Sequence, residues 1–200
     1  LQWFRTRNVA FPVVSLALTN FAYMGGFMIV PQLLETGLGF STSHIGWLII
    51  ARPLVFSLVA PFSGHISSRI GERNAGVIGA SSVLLSMLIL SQINLGSSDL
   101  MIAFGLSLSG VGLGISAPAL TALLANSVED HDLGVASAMQ QLLNQMGAVL
   151  GAAVMIGVHE ATISSGTIKS FSYALLAGAI SSGIGIFTSS AVRSSQKISR

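Results

Sequence analysis

Arg52 is the residue whose position most needs a chemical reason. It sits in the apolar run 44–67, and no other Asp, Glu, Lys or Arg falls in that run. A guanidinium held in hydrocarbon is disfavoured by at least ~2.5 kcal/mol unless it pairs or reaches water. Three arrangements meet that demand. The long stem can snorkel to the outer headgroups. The cation can face a cavity and bind an anionic group of a solute, or it can pair with an acid from another part of a larger protein. Pro53 follows directly and disrupts the local hydrogen-bond ladder.

A second set of candidates is amide. Gln141, Asn144 and Gln145 lie in the run 133–158. At about 100° per residue, Ser137, Asn144 and Gln145 fall within about 60° of Gln141. Met139, Leu142, Met146, Val149 and Ala153 cluster about 80–160° away, and Gly147 and Gly151 share a third face with Gln140. A polar face, a lipid face and a close-packing face are therefore expected. Amides are unfavourable against lipid. The polar face should line a water-filled cavity or form a hydrogen-bonded ladder to a neighbouring helix. Asn20, Tyr23 and Gln32 in the run 9–34, and Trp47 in the next, are further cavity candidates. Trp47 also suits an interfacial belt, being near a run's end.

Other chemistries find little material. The chain has no Cys, so it offers no thiolate ligand or thiol nucleophile. His44, His65, His131 and His159 lie near the ends of runs, and no two stand at i, i+4 on one helix. Neither a metal nor a cofactor is expected, and no enzyme activity. No carboxylate lies inside any run. If a proton is carried, its acid is expected outside this chain.

These residues need membrane-crossing elements to hold them. Of the 200 residues, 52% are hydrophobic and 8% charged, against about a quarter charged in a soluble domain. The net charge of +2 is no nucleic-acid footprint, because that requires a clustered basic face. A hydrocarbon core about 30 Å thick needs roughly 20 apolar residues per helix. Six runs qualify: 9–34, 44–67, 75–93, 100–124, 133–158 and 171–192. They predict an all-α integral membrane domain over 1–200, with short loops joining neighbours. The chain opens on Leu1, and its first span begins almost at once. That predicts a segment of a longer protein.

Basic residues set the orientation. With the N-terminus in the cytoplasm, Arg5, Arg7, Arg69, Arg73, Arg193, Lys197 and Arg200 are all cytoplasmic, and Lys169 alone is outside. Both termini are expected inside, on a multi-pass protein of the plasma or inner membrane. Glycine is abundant, at 22 residues. Gly110 with Gly114, and Gly147 with Gly151, are small-xxx-small pairs that let helix backbones approach in lipid. Pro53, Pro61 and Pro118 each remove one helical hydrogen bond.

The segment between the second and third runs reads Gly64-His-Ile-Ser-Ser-Arg69-Ile-Gly71-Glu-Arg73. It resembles the loop motif of the major facilitator superfamily, roughly G-x-L-x-D-R-x-G-R-R. Gly64, Arg69, Gly71 and Arg73 match; Ser68 replaces the motif's Asp, and Glu72 a base. Gly46 to Pro53, Ala60 to Gly64, Gly110 to Gly114 with Pro118, Gly134 to Ala138, and Gln145 to Gly147 extend the likeness in order. Together they are similar to the last six helices of the fourteen-helix drug:proton antiporter branch.

The resemblance implies one six-helix half of a transporter whose N-terminal half lies outside this chain. It implies alternating access and export of drugs or small amphipathic molecules against proton entry. Its partners would be the lipid bilayer, the solute, protons and the other half. It also implies that Arg69 and Arg73 latch onto neighbouring helix ends, a role the loss of the acid at Ser68 weakens. The bland alternative is that the two bases only fix topology. A specific metabolite exporter or uniporter of the same superfamily fits the same residues. So does a non-transporting membrane scaffold, which would need no polar face on the fifth run.

Overall fold

The computed structural model describes residues 7–192. Every regular element in that range is helical. Helix α1 spans Arg7–Gln32 and continues as a π-helical turn over Leu33–Gly37. The second membrane-length rod is assembled from α2 (Thr42–Ile49), α3 (Ala51–Val59), a 3-10 turn (Ala60–Phe62) and α4 (Ser63–Ile70). Helices α5 (Glu72–Ser91), α6 (Asp99–Ala125) and α7 (Leu133–Thr162) follow. A 3-10 turn (Ile163–Ser165) leads into α8 (Thr167–Ser190). Six of these rods are long and apolar enough to cross a membrane.

Five of the six rods begin earlier than the apolar runs because first turns tolerate polar residues. Glu72 and Asp99 occupy first turns, where a negative charge faces the positive end of the helix dipole. The Ser98 hydroxyl accepts a hydrogen bond from the Met101 amide and caps α6. The second rod is broken where its prolines remove backbone donors. It interrupts at Ile50, three residues before Pro53, and tightens to a 3-10 turn around Pro61. Pro118 is accommodated inside the unbroken α6. Gly71 turns the chain from α4 into α5 at φ +85°, a left-handed conformation that a side chain would strain.

Glycine notches set the helix spacing. A Cβ on Gly147 would lie 2.3 Å from the Ala17 carbonyl oxygen, and one on Gly151 would lie 2.0 Å from that of Phe21. The small-xxx-small pair of α7 is thus pressed against the backbone of α1. On α6, Gly110 meets the Arg52 carbonyl oxygen at 2.5 Å and Gly114 meets Val59 at 3.2 Å, measured the same way. Gly112, on another face of α6, meets the Gly79 carbonyl of α5 at 2.6 Å. Packing of this kind replaces the hydrophobic driving force that lipid cannot supply.

Hydroxyls stitch the same contacts. Ser15 donates to the Gly185 carbonyl at 3.0 Å and touches Ser189, joining α1 to α8. Ser86 donates to the Gly105 carbonyl at 2.6 Å, and Ser63 to the Ile115 carbonyl at 2.8 Å. Each is worth about 0.6 kcal/mol on average in a membrane bundle. The main apolar core gathers Ile29, Val83, Met87, Leu90, Leu106, Met155 and Leu175 between α1, α5, α6, α7 and α8.

The six rods are covered unequally. Within their most apolar stretches, 44% to 61% of residues are buried in four of them. The second rod is buried to 17% and α7 to 22%. These two are the least covered rods of the bundle.

Candidate functional site

The exposed surface of the bundle is not uniform in chemistry. Beyond their first turns, α5 exposes Ile78, Leu85 and Leu88, while α8 exposes Tyr173, Leu176, Ile180, Ile184 and Phe187. Helix α7 exposes Gln141 and Gln145 in mid-span. They line a surface groove of about 540 Å³ with Leu142, Met146, Val149 and Leu150. Three separate faces were expected from helical angles alone. The close-packing face is where it was expected: Gly147, Gly151 and Gln140 are buried. The polar and apolar faces are not separated. So little of α7 is covered that its exposed arc carries both, and amides and apolar chains share one groove.

Asn144 points the other way. Its backbone carbonyl accepts a 2.9 Å hydrogen bond from Asn20 Nδ2, which ties α7 to α1. Its own Oδ1 is buried without a hydrogen-bond partner. Two asparagines selected separately from the sequence thus meet at one helix crossing. The ladder reading finds a further member in Gln140, whose Nε2 donates to the Thr121 hydroxyl of α6 at 2.6 Å. Gln140 had been placed only on the packing face. Its signal was its position beside Gly147, since a long amide on a tightly packed face must find a partner.

Arg52 does not snorkel. It is 1% exposed, the largest of the fully buried side chains. Its Nη1 donates to the Tyr23 carbonyl at 3.0 Å. The guanidinium carbon lies 5.0 Å from the centre of the Tyr23 ring and 5.9 Å from that of Phe27. Both distances suit attraction between a cation and an aromatic face. Gly26 leaves room beside Nη2, where an added Cβ would stand 3.3 Å away. Nε and Nη2 have no hydrogen-bond partner. Tyr23, chosen as a separate candidate, is therefore the main neighbour of Arg52. Gln32 and Trp47 are exposed and join neither cluster.

The loop motif shapes a turn, and among the described residues Arg69 and Arg73 join no ion pair. Arg69 and Arg73 are exposed. Among the described residues the ion pairs are His44 with Asp99, and His131 with Glu129 and Asp132. Ser68, in place of an acid, donates to the His65 carbonyl at 2.8 Å. A Cβ on Gly64 would meet nothing within 4 Å. Of the bases that set the orientation, Arg5, Arg193, Lys197 and Arg200 lie outside the described residues.

The histidines are better placed than their peripheral positions suggested. His159 is buried, stacks on Phe171 at 3.8 Å between ring centres, and its Nδ1 lies 2.9 Å from the Ser170 hydroxyl. It pins α7 to α8. His44 Nε2 lies 2.8 Å from Asp99 Oδ2 and joins the start of α2 to the start of α6. Among the described residues, no group of three His, Asp or Glu is placed to hold a metal ion.

Residues 13–197 match the family model of the Major Facilitator Superfamily. The chain belongs to that superfamily.

Its fold is similar to one half of a superfamily transporter. The inward-open xylose transporter XylE from E. coli superposes with a TM-score of 0.76 at 14% identity, over 94% of this chain and 48% of that one. Among curated proteins, the Multidrug resistance protein Stp of Mycobacterium tuberculosis is 27% identical over 165 residues, covering 82% of this chain and 30% of Stp. The Multidrug transporter protein MdtP of Bacillus subtilis is 22% identical over 158 residues, covering 79% of this chain and 29% of MdtP. The Tetracenomycin C resistance and export protein of Streptomyces glaucescens is 26% identical over 155 residues, covering 78% and 29%. The chain therefore matches under a third of the length of these relatives and about half of the xylose transporter. It is a multi-pass membrane protein of a transporter superfamily.

Proposed function

We propose that this chain is the C-terminal six-helix half of a secondary transporter that exports drugs or other small amphipathic molecules. Export proceeds by alternating access, coupled to proton entry. The protein resides in the plasma or inner membrane with both termini in the cytoplasm. The names of its relatives support the substrate class, and the half-length likeness to XylE supports a second six-helix bundle as partner.

One observation carries the reading. The only mid-span amides on an exposed arc of a membrane-length helix, among the described residues of α5, α7 and α8, are Gln141 and Gln145, on one of the two least covered rods. The third and sixth spans expose apolar side chains there, as lipid demands. The α7 groove instead combines amides with Leu142, Met146, Val149 and Leu150. That is the mixture a site for amphipathic solutes needs: apolar area for affinity and a few polar groups for orientation. Asn20 and Asn144 meet at the crossing of α1 and α7, while Arg52 and Tyr23 form a separate buried cluster between α3 and α1.

The test uses the full-length transporter. Gln141→Cys and Gln145→Cys should react with a water-soluble thiol reagent, and a transported drug should slow the reaction at least several-fold. Leu85→Cys and Phe187→Cys should stay unreactive. Equal labelling at all four, indifferent to drug, would reject the cavity and favour a scaffold.

A further inference from the structure

We propose that Arg52 is a covered oxyanion site, and that Phe27 is its cover. The proposal rests on the transporter reading and deepens it, by naming the chemistry of one group the site receives. A guanidinium carries five donor hydrogens on three nitrogens. Here one nitrogen is used, on the Tyr23 carbonyl, while Nε and Nη2 are buried and unpaired. A neutral carbonyl does not neutralise a cation, and neither do two aromatic faces. No carboxylate of this chain can do so, because no Asp or Glu lies inside any of the six apolar runs.

The unused edge of the guanidinium fits a particular partner. Nε with one Nη forms the fork that binds two oxygens of a carboxylate or phosphate side by side. A single amide or hydroxyl would fill only part of that fork. An oxyanion therefore satisfies both the charge and the two free donors.

Access is set by small movements. Arg52 is 1% exposed while Phe27, whose ring centre lies 5.9 Å from the guanidinium carbon, is 40% exposed. Phe27 thus touches both the buried cation and the exposed surface of the bundle, the position a cover would take. Beside Nη2 are Gly26 and Met87, whose Cε is 2.9 Å from the position of a Gly26 Cβ. A methionine chain is unbranched and flexible, and glycine adds no bulk, so the pocket can widen around the incoming oxygens. Arg52 also sits just beyond the break at Ile50, in the rod that is least covered. The same oxyanion chemistry has two sources: an acidic group on the exported solute, or a carboxylate side chain from the rest of the transporter.

The experiment measures binding and does not depend on transport. Carboxyfluorescein and the cation ethidium are titrated against purified full-length transporter in detergent, with Arg52→Gln, Arg52→Lys and Phe27→Ala. Thermal melting confirms that each variant is folded. If the solute supplies the oxyanion, wild type binds carboxyfluorescein, Arg52→Gln weakens it at least ten-fold, and Arg52→Lys loses less. Phe27→Ala changes the association rate for the anion, and ethidium affinity stays within two-fold throughout. If a protein carboxylate supplies it, Arg52→Gln lowers the melting temperature, and neutralising one intramembrane acid of the other half restores it. Failure of both patterns overturns the proposal: carboxyfluorescein affinity unmoved by Arg52→Gln, and no acid whose neutralisation restores stability. Ethidium efflux by wild type is scored separately. Its absence would count against the export reading and leave the anion site standing.

Discussion

At the scale of single residues, the fold depends on what is missing from certain side chains. Gly151 lies so close to the Phe21 carbonyl that no β-carbon fits without moving a backbone. Overpacking of this kind destabilises by roughly 1–3 kcal/mol. Gly151→Val should therefore lower the melting temperature of the full-length protein in detergent. Gly157→Val, on the same helix with nothing within 4 Å of its Cβ, should leave it nearly unchanged. Equal effects at both positions would mean that the α1 and α7 backbones are not in contact. The same scale shows how much of the site was legible beforehand. Arg52, Tyr23, Asn20 and Asn144 were each visible as polar groups in apolar runs. Their pairings were not, because pairing depends on which helices cross and at what height. His159 was passed over for the same reason: its sequence position is peripheral, but its ring is covered by Phe171 of the next helix.

At the scale of elements, apolar length and charge located all six rods, since each must match the bilayer. Five of the six starts were read too late, because polar first-turn residues such as Glu72 and Asp99 do not look like membrane. The angular reading of α7 identified its packing face, where glycine spacing is informative. It did not separate a polar face from an apolar one, because helical angles do not say how wide the uncovered arc is. Topology is tested at this scale. Ser68 lies in the last turn of the second rod and Ser98 caps the fourth, and both are exposed. In sealed, right-side-out vesicles, Ser98→Cys should react with a membrane-impermeant thiol reagent and Ser68→Cys should not. The reverse pattern would invert the proposed orientation and leave the fold intact.

At the scale of the whole molecule, the uneven cover of the bundle is the main fact. Two rods are buried to 17% and 22% while the other four reach 44% or more. The two least covered rods are where the proposed second bundle would pack, and one of them carries Gln141 and Gln145. A six-helix half supplies one wall of a site that rocking between two bundles would expose to each side in turn. The most direct test is proton-driven efflux of a fluorescent drug from vesicles. It should be compared for this chain alone, shown to be monomeric, and for this chain co-expressed with the remainder of its transporter. The account predicts no efflux above background from the chain alone, and uncoupler-sensitive efflux once the remainder is supplied. Robust, uncoupler-sensitive efflux from the monomeric chain by itself would contradict it.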